Sequence, residues 1–190
     1  ASVVSPACSF PTVAWNSVRD EFAVFCWGPT LIGTFVRFSP MGTVLRRTDV
    51  KIRLTFTHKL AFNPHTGNFV LVWDQSFIDE FSPRPGVYAA EITGDGDTLA
   101  IGRISTSIVG SDGLDISYSP VSQTFLVLGR GDMFSPITGL PVLELNGHGA
   151  PISTATIIAD VYRYPHAPAR LDVGRWRAVA CAELPSSSAM

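Results

Sequence analysis

Three stretches of this chain repeat one another. Trp15-Asn16 leads through a turn to Glu21-Phe22-Ala23-Val24-Phe25. Phe62-Asn63-Pro64 leads to Asn68-Phe69-Val70-Leu71-Val72-Trp73, and Tyr118-Ser119-Pro120 to Thr124-Phe125-Leu126-Val127-Leu128. Each time an aromatic precedes a phenylalanine by seven positions. Self-similarity at a period near 50 residues constrains the fold strongly, because one unit of that size cannot bury its own apolar faces and must stack on its neighbours.

The second half of each unit recurs as well. Gly33 to Phe38 runs into Ser39-Pro40-Met41-Gly42, then Leu45. Tyr88 to Ile92 runs into Thr93-Gly94-Asp95-Gly96, then Leu99, and Val142 to Leu145 into Asn146-Gly147-His148-Gly149, then Ile152. Strand, glycine turn, strand is a hairpin pattern, since glycine adopts positive φ without a Cβ clash. The second strand of each unit is apolar at successive positions, which predicts burial on both faces. Helix signals are nearly absent.

The reading is all-β: a small propeller-like array of about four antiparallel sheets with the last one incomplete. The expected boundaries are a single domain over 1–184, with an N-terminal strand at 1–10 and repeats at about 11–57, 58–113, 114–158 and 159–184. In the fourth unit Asp160–Pro165 and Arg175–Ala180 stand for the first two strands, and no second hairpin follows. Residues 185–190 read as a tail. Because an under-filled sheet leaves an edge that templates pairing, residues 1–10 are expected to add a strand, either to their own array or to the next molecule.

At these residues the chain resembles the β-propeller repeat proteins of secreted and surface-anchored microbial origin, whose pattern is apolar-Ala-Tyr-Asn-Pro, a turn, then Glu-Tyr-Leu-Val-Val-Trp. Val13-Ala14-Trp15-Asn16 and Leu60-Ala61-Phe62-Asn63-Pro64 match its start, and Glu21–Phe25 and Phe69–Trp73 its second strand. The resemblance covers most of residues 11–184. It implies propeller blades; that family shares no catalytic residues, so it implies no activity.

Apolar residues make up 46% of the chain and charged ones 16%, so disorder is not expected. A net charge of −2 without a basic stripe argues against nucleic acid as a partner. No stretch reads as a membrane span. Residues 1–7 contain neither a charged region nor an apolar leader core, which fits a mature chain after leader removal and equally an arbitrary boundary. Two lysines among many Ser, Thr, Gly and Pro suit an extracellular or cell-surface protein.

The cysteines are Cys8, Cys26 and Cys181. Cys8 and Cys181 stand at opposite ends of the array and are expected to bond, with Cys26 a buried thiol; Cys26 with Cys181 is the alternative. Such a long loop would stabilise by about 4–5 kcal/mol in the chain-entropy model.

For chemistry, the four histidines (His58, His65, His148, His166) have no motif partners. Neither a nucleophile elbow nor a zinc-binding helix motif nor a phosphate loop is present. The chain reads as not an enzyme, with no catalytic residues, metal ligands or cofactor. Gly94-Asp95-Gly96-Asp97 has some calcium-loop character but reads better as a hairpin turn. Arg130-Gly131-Asp132 spells an integrin-binding tripeptide and also reads better as a turn. Trp27, Trp73, Asp74, Arg130 and Asp132 cluster at the ends of second strands, where aromatic faces beside polar groups can stack on sugars. They are the candidate glycan-binding residues, although aligned positions differ between units. The functional expectation is an extracellular structural or adhesive module without enzyme activity, self-assembling head to tail by strand addition. A glycan-binding propeller is the alternative.

Overall fold

The computed structural model describes residues 8–27, 32–53, 57–75, 84–106, 114–129, 140–153 and 156–158. They form twelve strands and no helix: β1 (Ser9–Asn16), β2 (Glu21–Trp27), β3 (Ile32–Phe38), β4 (Val44–Arg53), β5 (His58–Asn63), β6 (Asn68–Gln75), β7 (Gly86–Ile92), β8 (Thr98–Ser105), β9 (Asp115–Ser119), β10 (Thr124–Leu128), β11 (Leu140–Leu145) and β12 (Thr156–Ile158). They make three four-stranded antiparallel sheets in chain order: β1-β2-β3-β4, β5-β6-β7-β8 and β9-β10-β11-β12. Strand β1 lies against β5, and β5 against β9, so the sheets follow one another through their first strands. The expected fourth unit, 159–184, lies outside the described residues.

Each repeat has a local cause. The Asn16 side-chain oxygen accepts from the backbone of Val18 and Arg19, and that of Asn63 from His65. Both asparagines are buried and clamp the turn that reverses the chain. The residue just before the second strand has positive φ in all three units: Asp20, Gly67 and Gln123. Only Gly67 does so without a Cβ penalty.

The unbroken apolar runs are explained by sheets covered on both faces. Phe69, Leu71 and Trp73 of β6 face the first sheet and pack with Phe25, Trp27 and Phe35. Val70 and Val72, between them, face the third sheet and pack with Phe125, Val127 and Leu143. Alternate side chains of a strand point to opposite faces, so a central sheet needs no polar positions.

The glycine turns dock each sheet onto the one before. A Cβ on Gly96 would lie 2.8 Å from the Phe35 ring and 3.0 Å from Thr48 Cβ, both in the first sheet. A Cβ on Gly149 would lie 3.2 Å from Val70 in the second sheet. Gly42, the equivalent residue of the first unit, meets nothing within 4 Å. Gly96→Ala is therefore expected to destabilise by about 2–4 kcal/mol, combining positive φ with overpacking. Gly42→Ala should cost only the backbone term of about 1 kcal/mol. Urea midpoints of the two variants check this; equal midpoints would contradict the docking role.

The disulfide differs from expectation. Cys8 bonds to Cys26, with Cα atoms 5.4 Å apart. The reason is local: β1 pairs antiparallel with β2, and Ser9 stands opposite Trp27, which brings Cys8 beside Cys26. Cys26 is thus bonded rather than a free thiol, and the pairing of Cys8 with Cys181 is withdrawn. Cys181 itself lies outside the described residues. The bridge closes a sequence separation of 18, which stabilises by roughly 3 kcal/mol in the chain-entropy model. It ties the start of β1 to the first sheet, where Ser9 pairs with Trp27 and the Phe10 ring meets that of Trp27.

Candidate functional site

Strand ends place three of the five predicted sugar-binding residues, Trp27, Trp73 and Asp74, inside the protein. Trp73, on β6, has no exposed surface and stacks on Tyr88 with ring centroids 5.6 Å apart. Tyr88 in turn donates its hydroxyl to the carbonyl of Arg84 at 2.6 Å. Asp74 is buried, and its backbone N–H donates to the Thr57 carbonyl. Trp27 is buried too, meeting Phe10 edge to face at 5.7 Å. Stacking on a sugar needs an open aromatic face, and these rings offer none. The candidate glycan role of Trp27, Trp73 and Asp74 is corrected on that ground: their position beside the strand ends is inter-sheet core. Arg130 and Asp132 lie outside the described residues, as does the tripeptide they frame.

The structure brings together a set of polar side chains that the sequence reading did not connect. Two positions recur in each unit, the first residue of the second strand and one on the third strand; in the first two units a third joins them from the glycine turn of the following sheet. In the first unit the Arg37 guanidinium donates to both oxygens of Glu21, each at 2.7 Å, and to Asp95 of the second sheet at 2.7 Å. Arg19 joins Asp95 at 2.7 Å, and Thr48 donates its hydroxyl to the Asp95 carbonyl at 3.3 Å. In the second unit Asn68 donates to Glu91 at 2.8 Å, and His148 of the third sheet lies 3.0 Å from the same oxygen. In the third unit Thr124 donates to Glu144 at 2.8 Å. One geometry is thus filled by different chemistries, which is why alignment by residue type missed it. The spacing was available, since Met41, Asp95 and His148 occupy the same turn position.

The electrostatics follow. The hydrogen bond from Arg19, with the charges of Arg19, Arg37 and Arg46, holds the Asp95 carboxyl below its usual range. The hydrogen bond to Glu21, with the charges of Glu21 and Asp95, outweighs burial and raises the Arg37 guanidinium. Asp95 is committed to two arginines, which suits a sheet-to-sheet clasp rather than a calcium ligand. Among the described residues no cluster of three or more His, Cys, Asp or Glu is arranged to hold a metal.

His58 is the buried titratable group with the largest consequence. It starts β5, pairs with Trp73, and meets the Phe25 ring edge to face at 5.6 Å. Burial lowers its pKa to about 4, with Lys59 adding to the effect, against the carbonyls of Phe25 and Phe10, which favour the charged ring. Those carbonyls lie near the imidazole, but neither ring nitrogen reaches hydrogen-bond geometry.

Comparison with known proteins adds little. No protein-family model matches the sequence, and no curated protein does. A solved structure that it resembles is a mutant of the Synechocystis apocarotenoid oxygenase, at 13% identity and a TM-score of 0.47. The match covers 77% of this chain and 38% of that one. Since the matched protein is by its title an enzyme, the expectation that this chain has no enzyme activity is withdrawn. A likeness this distant assigns no activity either. Among the described residues no helix is long and apolar enough to cross a membrane.

Proposed function

We propose that the chain is a structural or adhesive module acting outside the cell or at its surface. In this reading it forms an open, propeller-like array of about four sheets, the fourth supplied by residues 159–184. It assembles with copies of itself head to tail by strand addition. The Cys8–Cys26 bond supports an oxidising compartment.

The observation that carries the reading is the edge of the second sheet. Among the described residues β8 pairs on one side only, with β7. Positions 98–103 are all exposed, including Leu99 and Ile101, and Arg103 is their one charge. Natural edges are guarded by charge, proline or bulges; β8 keeps bulges at Leu99 and Ile104, but it carries one charge where β4, also bulged, carries Arg46, Arg47 and Lys51. Strand addition would satisfy the β8 backbone and give a directional contact. The donor is residues 1–7 of another copy, an uncharged segment with Val3 and Val4. Residues 8–10 are already held in the first sheet, which shortens the expected donor from 1–10.

Electron microscopy of the full chain is expected to show ordered polymers. Deleting residues 1–7, or Leu99→Lys with Ile101→Lys, should abolish them while circular dichroism stays unchanged. A full-length protein that never exceeds a dimer overturns strand addition. Specific signals on a glycan array from that non-polymerising protein would turn the assignment to the glycan-binding alternative, through groups other than Trp27, Trp73 and Asp74.

A further inference from the structure

The glycine turn of each sheet opens on a side-chain oxygen that holds the turn together. Ser39 Oγ accepts from the Thr43 N–H at 3.1 Å, and Thr93 Oγ1 from those of Asp95 and Asp97 at 3.3 and 3.0 Å. Asn146 Oδ1 does the same for His148 and Ala150, at 3.0 Å each. Two units thus use a hydroxyl and the third an amide, whose carbon is an electrophile that a hydroxyl lacks. Of the asparagines Asn16, Asn63, Asn68 and Asn146, only Asn146 precedes a glycine. That glycine belongs to the docking of the sheets. Asn63 Nδ2 donates to the Gly147 carbonyl at 2.9 Å, and a Cβ at 147 would lie 3.0 Å from the same nitrogen.

We propose that Asn146 is a self-modification site: the folded turn promotes its deamidation to aspartate and isoaspartate, and the isoaspartate form releases the third sheet from the second. The reacting atoms are the Gly147 nitrogen and Asn146 Cγ. The Gly147 N–H donates to no group among the described residues. The hydrogen bond from His148 N–H to Oδ1 curls the Asn146 side chain over the intervening peptide, which turns Cγ toward the Gly147 nitrogen. The N–H groups of His148 and Ala150 point at the oxygen on which negative charge develops as that nitrogen attacks. The nitrogen gives its proton to a solvent base and bonds to Cγ. The Cγ–Nδ2 bond breaks, and Nδ2 takes a proton from solvent and leaves as ammonia. Water then opens the five-membered imide. Attack at Cγ breaks its bond to the Gly147 nitrogen and gives aspartate. Attack at the main-chain carbonyl carbon gives isoaspartate, with the chain running through Cβ and Cγ.

Isoaspartate lengthens the main chain by one atom where three contacts between sheets meet. The Gly147 carbonyl holds Asn63, His148 lies 3.0 Å from the buried Glu91, and Gly149 approaches Val70 so closely that a Cβ would lie 3.2 Å from it. The Asn146 carbonyl, which accepts from the Gly149 N–H at 3.0 Å, leaves the main chain as a free carboxylate. A turn this short cannot take up the extra atom without moving all three residues. Aspartate, by contrast, keeps the backbone and an acceptor oxygen. The inference rests on the turn of the third sheet and not on strand addition at β8.

Incubating the full chain in mildly alkaline buffer, then mapping its peptides by mass spectrometry with isoaspartyl methyltransferase labelling, reads the site. A synthetic peptide of residues 140–153 gives the rate for the same sequence without the fold. The folded chain is expected to convert Asn146 about tenfold faster than the peptide, a small share of what such donors contribute in enzymes. Purified isoaspartate protein should melt below fresh protein, and Asn146→Asp close to it. Asn146→Thr, which copies Thr93, should neither convert nor lose thermal midpoint on storage. A folded rate equal to or below that of the peptide overturns promotion by the turn. Isoaspartate protein that melts with the fresh protein overturns release of the third sheet. So does a loss of midpoint on storage that Asn146→Thr fails to prevent, since its origin would then lie elsewhere.

Discussion

Replacing Trp73 with alanine is expected to cost about 3–5 kcal/mol of stability, the range for deleting a fully buried aromatic side chain. Domains are stable by only about 5–15 kcal/mol, so much of the margin would go. Trp73 has no exposed surface. It sits in the cluster that joins the first two sheets, with Phe25, Trp27 and Phe35 on one side and Leu71, Tyr88 and Ala90 on its own. Its removal would empty the contact between two sheets rather than trim a surface. Urea melts of Trp73→Ala and Trp73→Phe give the measure. The phenylalanine variant keeps an aromatic against Tyr88 and should recover part of the loss. A Trp73→Ala protein with an unchanged midpoint would mean that the indole is not core, and the sugar-stacking reading of this residue would return.

The sequence announced the architecture more fully than the site, and Trp73 shows why. Unbroken apolar strands and paired glycine turns predict four-stranded units stacked on each other, because period and turn chemistry are local properties written in consecutive residues. All three complete units appear, with Asn16, Asn63 and Ser119 accepting in the first turn and the positive-φ positions recurring. Whether a tryptophan at a strand end faces solvent or the next sheet is not local. It depends on which sheet stacks on which face, and the same residue type serves both purposes. The disulfide failed for a related reason. Its placement at the ends of the array suggested a long-range bond, whereas the β1–β2 hairpin had already brought Cys8 beside Cys26.

The clasp between sheets shows a third limit. Arg37 with Asp95, and Glu91 with His148, perform one task with the charges rearranged. An ion pair half open to water contributes little net stability. Selection for geometry at such a position leaves the residue type free to vary. The position is legible from the repeat once the fold is known, and the chemistry is not. At the first unit the same position holds Met41, which carries no charge and is 90% exposed.

Acid is expected to weaken this fold through His58. A buried neutral imidazole resists protonation, and here burial brings the pKa from 6.5 to about 4. The unfolded chain takes up its proton near 6.5 and the folded chain does not, so between those values the unfolded state binds more protons. Stability from this residue is therefore complete above about pH 6.5 and falls as pH drops. It is lost by the time pH passes below about 4, a difference of about 3 kcal/mol. The ring lies between the first two sheets, against Phe25, so its protonation would drive those sheets apart rather than loosen a terminus. Asp115 opposes the trend, since burial raises its carboxyl and favours the acid form in the fold. The comparison must therefore be between proteins that share Asp115. Urea melts of the wild type and His58→Leu at pH 7, 5.5 and 4 isolate the histidine. The variant is expected to gain on the wild type steadily as pH falls, by about 3 kcal/mol across the range. Parallel pH profiles would show that His58 titrates in the fold much as it does in water, and would place the acid sensitivity elsewhere.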